Sequence, residues 1–216
     1  PAPAYLGATY LGTYRTTAEI DADGVVGSVL GGPRYVDLDG NGAINQLDFI
    51  VHGDPNPDFY GGLRNTVTYK DLTLDFFFHG SYGNEILNAA YHLGYFGRDP
   101  RSNLLPIVKD RWTISNQNSD IPRAGSSFGN YQQRSDVSYQ DGSFLRLKNV
   151  TLTYDLDIPG MKRASVYLTG NNLLLFTKFT HGDPEQSNYG DGLEQGVANG
   201  GYPYNSSFAL GFNLTL

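Results

Sequence analysis

Cysteine is absent from the 216-residue chain, which excludes a disulfide framework and any chemistry that needs a thiolate. No apolar run approaches the ~20 residues that a membrane-spanning helix requires, so a helical membrane protein is excluded. This second absence does not exclude a membrane β-barrel, because barrel strands alternate in polarity and score low on hydropathy. Charged residues are also scarce, at 17% against about 25% in an average soluble domain.

Basic residues are outnumbered, with 15 Lys and Arg against 22 Asp and Glu and a formal net charge of −7 at pH 7. This balance argues against nucleic acid as a partner, because phosphate contacts need clustered Lys and Arg. The opening residues, Pro-Ala-Pro-Ala, lack the charged and apolar regions of a signal peptide. We therefore expect them to be the edge of a mature or partial chain.

Signatures of catalysis are missing too. No Gly-x-Ser-x-Gly elbow, phosphate-binding loop or dinucleotide fingerprint occurs in the sequence, and we predict that the chain is not an enzyme. The four histidines show no metal-ligand spacing, so a transition-metal site is not expected. They are His52, His79, His92 and His181.

Alternation of apolar with small or polar residues is the main pattern that is present. In the last ten residues, every second position from Phe208 onward is Phe or Leu, so one face of this strand is apolar. Four earlier segments alternate in the same way, and short turns join them into two hairpins. The predicted strands are Leu63–Tyr69, Leu72–His79, Ser143–Asp155, Ala164–Thr177 and Ser207–Leu216.

Loop lengths differ sharply between the two ends of these strands. The turns near residues 70–71 and 158–162 are short, whereas residues 83–141 and 179–205 form long connections. Outer-membrane barrels have this asymmetry, with short periplasmic turns and long extracellular loops. Tyr69 and Tyr154 fall near the short turns, where an interfacial aromatic girdle is expected. The pattern favours a transmembrane barrel, and a soluble β-sandwich is the alternative.

Closure limits this interpretation, because about eight strands are the fewest that close a barrel. An open sheet in lipid leaves unpaired backbone groups along both edges, at a high cost in free energy. We therefore predict an all-β fold, the C-terminal five or so antiparallel strands of a large transmembrane β-barrel with long extracellular loops. The chain is then a piece of a larger polypeptide or a subunit that completes another barrel. Residues 1–58 are predicted to be an extracellular loop region, and residues 59–216 the barrel strands with their loops.

Between the strands, the sequence predicts little regular structure. Residues 1–36 look like loop with weak strand character, and short helices are expected within residues 86–93 and 104–112. Asp183 and Glu185 are expected to be solvated loop carboxylates. The aromatic, Asn-rich loops either bind a polar ligand such as a sugar or pack on one another. Their aromatic residues are Tyr91, Tyr95, Phe96, Trp112, Phe128, Tyr131, Tyr139, Tyr189, Tyr202 and Tyr204.

Residues 37–48 carry the sharpest local motif. Oxygen-bearing side chains at positions 1, 3, 5, 9 and 12 of this segment, with Gly at position 6, match a calcium loop of the EF-hand type. Position 12 is Asp rather than the usual Glu, and no flanking amphipathic helices are evident. The alternative is a hydrated turn without metal. If Ca²⁺ binds, its role is structural, and the predicted ligands are Asp37, Asp39, Asn41, the carbonyl of Ala43, and Asp48.

Several segments, spread in order over most of the chain, also carry a family resemblance. The most specific is Asp141–Tyr154, which reads DGSFLRLKNVTLTY. Together the segments resemble the C-terminal part of the SusC/RagA family of TonB-linked outer-membrane transporters. The others are Tyr10–Tyr14, Tyr35–Gly42, Gly53–Phe59, Phe76–Asn84, Arg111–Thr113, Ile121–Ala124, Val166–Leu173, Asp183–Glu185 and Tyr202–Pro203.

The resemblance implies an importer with a barrel of about 22 strands, of which this chain supplies the last five. Its implied activity is TonB-dependent import of oligosaccharides or peptides across the outer membrane of a Gram-negative, Bacteroidetes-type cell, through a multi-pass barrel. The implied partners are a SusD-like surface lipoprotein acting as a lid, the TonB system acting through a plug absent from this sequence, the remaining barrel strands, outer-membrane lipid, and a glycan or peptide substrate.

Two departures from the family pattern stand out. The chain ends in Leu216 where the family usually has Phe, and it lacks the Arg often found just before the last strand.

Two alternatives to import stay open at this point. One is a secreted, calcium-stabilised β-sandwich that acts as a binding module. The other is a barrel that serves as a scaffold in an outer-membrane complex.

Overall fold

The computed structural model describes residues 5–96, 103–125, 135–185 and 196–215. Strands dominate this part of the chain, and five of them are long. The strands are β1 Tyr5–Gly7, β2 Tyr10–Thr13, β3 Pro33–Tyr35, β4 Ile50–Gly53, β5 Phe59–Tyr69, β6 Leu72–Tyr82, β7 Glu85–Asn88, β8 Tyr139–Asp141, β9 Phe144–Leu156, β10 Arg163–Thr177, β11 Val197–Ala198 and β12 Ser207–Thr215. The helices are α1 Thr17–Asp23 and α2 Ala89–Phe96, with 3-10 turns at Gln46–Asp48, Pro106–Asp110 and Asp136–Ser138.

The five long strands form one antiparallel sheet in the order β12-β10-β9-β6-β5. The tight turn predicted at Lys70-Asp71 joins β5 to β6, and Lys70 adopts a positive φ of 52° there. The five predicted strands and both predicted hairpins are therefore confirmed. The first hairpin is longer than predicted, since β5 begins at Phe59 and β6 runs to Tyr82. Strands β5 and β12 are the outer strands of the sheet.

The register gives the two faces of this sheet largely different chemistry, with exceptions such as Phe77 and Leu175 on the polar face and Asn65 on the apolar one. Rows of paired apolar residues cross all five strands on one face, and rows of mainly polar or small residues cross them on the opposite face. One apolar row consists of Val67, Leu74, Leu152, Leu168 and Leu210. One polar row consists of Thr66, Asp75, Thr151, Thr169 and Ala209.

A bulge in β9 makes this separation possible. Asn149 lies opposite Phe77 of β6 and Leu147 lies opposite Phe78, so the register skips Lys148. In β9, Leu145 and Leu147 fall at odd positions before the bulge, and Val150, Leu152 and Tyr154 fall at even positions after it. Because side chains alternate with a period of two, the extra residue brings both sets to the same face.

Aromatic side chains mark both ends of the apolar face. Tyr69 and Tyr154 lie at the end of the short turns, as predicted. Phe59 and Tyr82 lie at the loop end, where their rings stack with centroids 5.3 Å apart. The 11 residues of β5, at about 3.4 Å per residue and a tilt of about 45°, rise about 26 Å. This height matches the apolar band of an outer-membrane barrel.

The chain divides into two compact units. The first contains residues 1–56, 85–140 and 187–200, and the second contains residues 57–84, 141–186 and 201–216. All five long strands belong to the second unit, whereas α1, α2 and most short strands belong to the first. The first unit thus takes in the opening segment and nearly all of the long connection 83–141, whereas the long connection 179–205 is divided between the two units. The division into an extracellular loop region, residues 1–58, and a barrel region, residues 59–216, stays a prediction.

Helix α1 was missed by the prediction that residues 1–36 form loop with weak strand character. Thr16 caps the helix by accepting the N–H of Glu19, whose carboxylate accepts the N–H of Thr16 in return. Gly24 ends the helix with a φ of 66°. This capping box and terminal glycine are visible in the sequence, so the signal was available.

The other two helix predictions were partly wrong. Residues 85–88 pair as β7, so α2 begins only at Ala89. Within residues 104–112, only the 3-10 turn Pro106–Asp110 forms. Among the described residues, no helix is long and apolar enough to span a membrane.

Candidate metal centre and the Arg146 cluster

The calcium-type motif folds into a compact loop that brings its acidic residues together. One carboxylate oxygen from each of Asp37, Asp39 and Asp48 lies within 4.8 Å of the others. Calcium sits 2.3–2.6 Å from its oxygen ligands, so two ligands of one ion are at most about 5 Å apart. The spacing of the three carboxylates is therefore compatible with a shared Ca²⁺ ion.

Hydrogen bonds inside the loop hold these oxygens in place. The Asp37 carboxylate accepts the N–H groups of Gly40 and Gly42, at 2.9 and 2.7 Å. The bond from Gly42 lowers the pKa of Asp37, so it is a carboxylate at neutral pH. Asp39 accepts the N–H of Asn41 at 3.1 Å. Each oxygen keeps a second lone pair, so these bonds leave room for a cation.

Asp48 is the most enclosed acid of the loop, with no exposed surface. Its two oxygens accept the N–H groups of Leu38 and Asn45, at 2.8 and 2.7 Å. A buried carboxylate is costly without a counter-charge, and the two donors are neutral backbone groups. A cation shared with Asp37 and Asp39 would supply the missing positive charge.

The oxygens of the remaining predicted ligands, Asn41 and Ala43, both accept hydrogen bonds from within the loop. The amide oxygen of Asn41 accepts the N–H of Ala43, and the Ala43 carbonyl accepts a bond from the Asn45 side chain. The Asn45 oxygen caps the following 3-10 turn by accepting the N–H of Leu47. Asn45 thus serves as a cap, and the residues of this chain that fit a cation best are Asp37, Asp39 and Asp48.

The second unit contains a buried charge cluster that was not predicted. Arg146 of β9 is 2% exposed, and its Nη2 lies 2.6 Å from Oδ1 of Asp183, which is 3% exposed. The Arg146 Nε forms an ion pair with Glu185 on the same loop. Glu185 also lies 3.3 Å from the ammonium of Lys148 and 3.2 Å from Nε2 of His79.

Tyr204 closes this cluster, which we call the Arg146 cluster and define as Arg146, Lys148, Asp183, Glu185, His79 and Tyr204. Its ring lies 4.4 Å from the Lys148 ammonium and 5.5 Å from the Arg146 guanidinium, both within cation–π range. Its backbone N–H donates to Asp183 at 3.3 Å. The cluster therefore fastens both ends of the loop between β10 and β12 to strands β6 and β9.

The prediction that Asp183 and Glu185 are solvated was wrong. Both are largely enclosed, because the loop folds back onto a strand 37 residues earlier in the sequence. Nothing in the local composition of the loop signals this contact. The bulge at Lys148 contributes, since it directs Arg146 and Lys148 to the polar face.

Beside the cluster, the polar face carries a ladder of amide and hydroxyl groups. Thr151 and Thr169 share a hydrogen bond of 2.7 Å, and Asn149 donates to both Thr169 and Asn171. Asn171 donates in turn to Ser207 on β12. Together these groups form a continuous hydrophilic surface across three strands.

The aromatic loop residues divide between packing and exposure. Tyr95 and Phe96 are buried with Ile121 in one core cluster, and Trp112 is 8% exposed. Packing is therefore confirmed for these three aromatic residues. Tyr202 is 90% exposed and Tyr204 is 47% exposed. Phe128, Tyr131 and Tyr189 lie outside the described residues.

Comparison with known proteins shows related sequences along nearly the whole chain. No family model matches it. TonB-dependent receptor P26 of Formosa agariphila is 40% identical over 223 residues, which cover 99% of this chain and 22% of that receptor. TonB-dependent receptor P3 of the same organism is 33% identical over 98% of this chain. TonB-dependent receptor SusC of Bacteroides thetaiotaomicron is 25% identical over 83% of this chain and 17% of its own length.

Solved structures give the same correspondence in three dimensions. The RagAB peptide transporter superposes with a TM-score of 0.76 at 24% identity, over 100% of this chain and 23% of that one. The RagAB peptide importer in its 'closed-closed' state gives a TM-score of 0.77 at 24% identity. At this identity the superposition establishes the fold alone. The chain spans about a fifth of the length of the relatives it matches.

Proposed function

The chain belongs to the SusC/RagA family of TonB-linked outer-membrane transporters, and we propose that its five long strands form part of the wall of a TonB-dependent import channel. The proposed activity is the uptake of oligosaccharides or peptides as nutrients across the outer membrane. In this activity the residues bind and guide solutes and carry out no covalent chemistry.

The predicted fold and location of the chain are confirmed. The five antiparallel strands are those of a large transmembrane β-barrel with long extracellular loops, and the protein is localised in the outer membrane. The relatives reported above are receptors and transporters, which agrees with the prediction that the chain is not an enzyme. The secreted β-sandwich is therefore no longer a competing interpretation.

One observation carries the proposal: one face of the sheet has mainly apolar side chains, and the opposite face has mainly polar ones. The apolar face is suited to lipid, since its residues Phe208, Leu210 and Phe212 are 65–70% exposed. The opposite face offers Thr, Asn and Ser groups to water. A sheet with lipid on one side and hydrophilic groups on the other is the wall of a water-filled lumen.

The proposal also requires partners. The outer edges of β5 and β12 need hydrogen-bonding neighbours in lipid, and we assign these to the remaining barrel strands. A SusD-like surface lipoprotein is proposed as the lid, because SusC and RagAB are relatives in sequence and fold. Energy would come from the TonB system through a plug domain outside this sequence.

Uptake by living cells tests the proposed activity. A strain lacking the receptor that contains these residues should lose uptake of a fluorescent peptide or oligosaccharide, and the complemented strain should regain it. The regained uptake should disappear when TonB is deleted, because import needs energy from the inner membrane. Screening peptides and oligosaccharides side by side separates the two substrate classes.

A scaffold function would give a different result in the same experiment. If uptake of every tested solute is unchanged in the deletion strain while an outer-membrane complex dissociates, the barrel is a scaffold. If uptake persists without TonB, the channel is not energised in the proposed way.

We also propose that residues 37–48 bind Ca²⁺ and stiffen their part of the first unit. The support is the shared spacing of Asp37, Asp39 and Asp48 and the burial of Asp48 without a cationic partner among the contacts described above. Added Ca²⁺ should then raise the melting temperature of the receptor, because a ligand that binds the folded state stabilises it.

Substitution of Asp39 provides the sharpest control for calcium. Asp39→Asn removes one ligand charge while retaining an oxygen for the Asn41 N–H, and it should abolish most of the shift. Asp21→Asn removes an exposed charge on α1, outside the loop, and should leave the shift intact. A melting temperature that does not respond to Ca²⁺, or a response that survives Asp39→Asn, would show that the loop is a hydrated turn.

A further inference from the structure

A groove of about 1040 Å³ opens near the loop end of the five-stranded sheet. Gly61 and Gly80 face each other on neighbouring strands along its floor. An ideal Cβ built on Gly61 meets no heavy atom within 4 Å, so the space above this residue is open. A Cβ on Gly80 would instead meet the backbone oxygen of Phe144 at 2.2 Å, so within this pair the open space lies above Gly61.

Five of the residues that line the groove have large, exposed hydrophobic side chains. They share a face with the apolar row that ends at Leu210, which is the lipid-facing side of the barrel wall. Their exposure, from 46% to 65%, means that the groove opens directly to the bilayer. These five lining residues are Phe59, Leu63, Tyr82, Leu145 and Phe176.

Lys178 gives this apolar groove one charged end. It follows β10 directly, lines the groove, and has a side chain that is 87% exposed. Its ammonium lies 3.9 Å from the Asp141 carboxylate, at the outer limit of an ion pair. Such a weakly held ammonium is available to a stronger anion. Because the long loops are extracellular, this end of the groove lies in the outer leaflet.

We propose that the groove holds an acyl chain of a phosphorylated glycolipid of the outer leaflet, with the lipid phosphate contacting Lys178. The acyl chain fills the space above Gly61 and packs on Phe59, Leu145 and Phe176. The phosphate displaces Asp141 as the partner of Lys178. This site concerns the lipid-facing surface and does not depend on the imported solute.

Native mass spectrometry of the complete receptor, purified from outer membranes in mild detergent, tests the site. The probe is lipid A carrying phosphate, titrated beside its dephosphorylated form. Gly61→Leu fills the groove, and Asn65→Leu is its matched control, since Asn65 lies on the same strand and face but outside the groove. Lys178→Gln removes the charge. Heat-modifiable migration on gels confirms that each variant barrel is assembled.

Gly61→Leu should lower lipid occupancy by about tenfold, the effect of losing the burial of about two methylenes. Asn65→Leu should leave occupancy unchanged, and Lys178→Gln should remove the preference for the phosphorylated lipid. Phe176→Ala removes part of one wall without filling the groove, and it should also weaken lipid binding. It replaces Gly61→Leu as the test if that variant does not assemble.

Three results would overturn the proposal. Occupancy in assembled Gly61→Leu or Phe176→Ala that equals that of the unsubstituted receptor excludes the groove as the site. An equal loss in Asn65→Leu shows that the lipid covers the whole face without a specific site. Equal binding of phosphorylated and dephosphorylated lipid excludes the contact with Lys178.

Discussion

Arg146 is the most deeply buried charged side chain of the Arg146 cluster. It is buried on the barrel wall and bonded to two carboxylates from one loop. Burying these charges has a large cost in desolvation, and their attraction offsets it only while all partners are present. The loop between β10 and β12 is therefore held most strongly at Asp183 and Glu185, whose carboxylates are largely buried.

Replacing Asp183 tests this fastening. Asp183→Asn keeps the shape of the side chain but leaves Arg146 with one carboxylate, so the free energy of local opening should fall by about 3 kcal/mol. Hydrogen exchange of residues 179–185 in the assembled receptor measures this change.

The matched control is the exposed ion pair between Arg15 and Asp120. Their side chains are 44% and 65% exposed. Asp120→Asn should change stability by less than about 1 kcal/mol. Equal effects of the two substitutions would contradict the importance of burial in the Arg146 cluster.

Individual residues were predictable from sequence only where their partners are close in the chain. The acids of residues 37–48 come together because a 12-residue spacing with Gly40 and Gly42 curves the backbone, so a local motif suffices. Asp183 meets Arg146 across 37 residues, and its burial depends on how a long loop returns. No local signal encodes that return.

The strands could be predicted because apolar and polar residues alternate with a period of two within each short segment of sequence. All five long strands and the turn at Lys70-Asp71 follow from alternation and turn residues. Helix α1 was missed because it is only 7 residues long, too short for a clear helical period. Its capping box was a usable signal, since Thr16 and Glu19 have the required spacing.

Deleting Lys148 tests the role of the bulge in β9. Without the extra residue, one half of β9 must turn its apolar side chains to the lumen and its polar ones to lipid. The deletion variant should therefore fail to assemble, and the heat-modifiable form of the receptor should be lost from outer membranes. Lys148→Ala keeps the residue count and should assemble. A deletion variant that assembles as well as Lys148→Ala would show that the bulge is dispensable.

At the scale of the whole molecule, the sheet with two chemically distinct faces connects the sequence to function. The same alternation that identifies the strands decides which residues face lipid and which face water. It also leaves β5 and β12 as outer strands that require neighbours in a membrane. Sequence alone predicted this arrangement, whereas the grouping of residues 85–140 with the first 56 residues required the structure.

Cysteine labelling along β12 tests the assignment of the two faces most directly, because the chain contains no native cysteine. Asn213→Cys lies on the proposed lumen face, and Phe212→Cys lies on the proposed lipid face. In intact outer membranes, with any native cysteines outside this sequence replaced, a water-soluble maleimide should label Asn213→Cys and leave Phe212→Cys unlabelled. Labelling of Phe212→Cys in preference to Asn213→Cys, or equal labelling of both, would contradict the proposed channel wall.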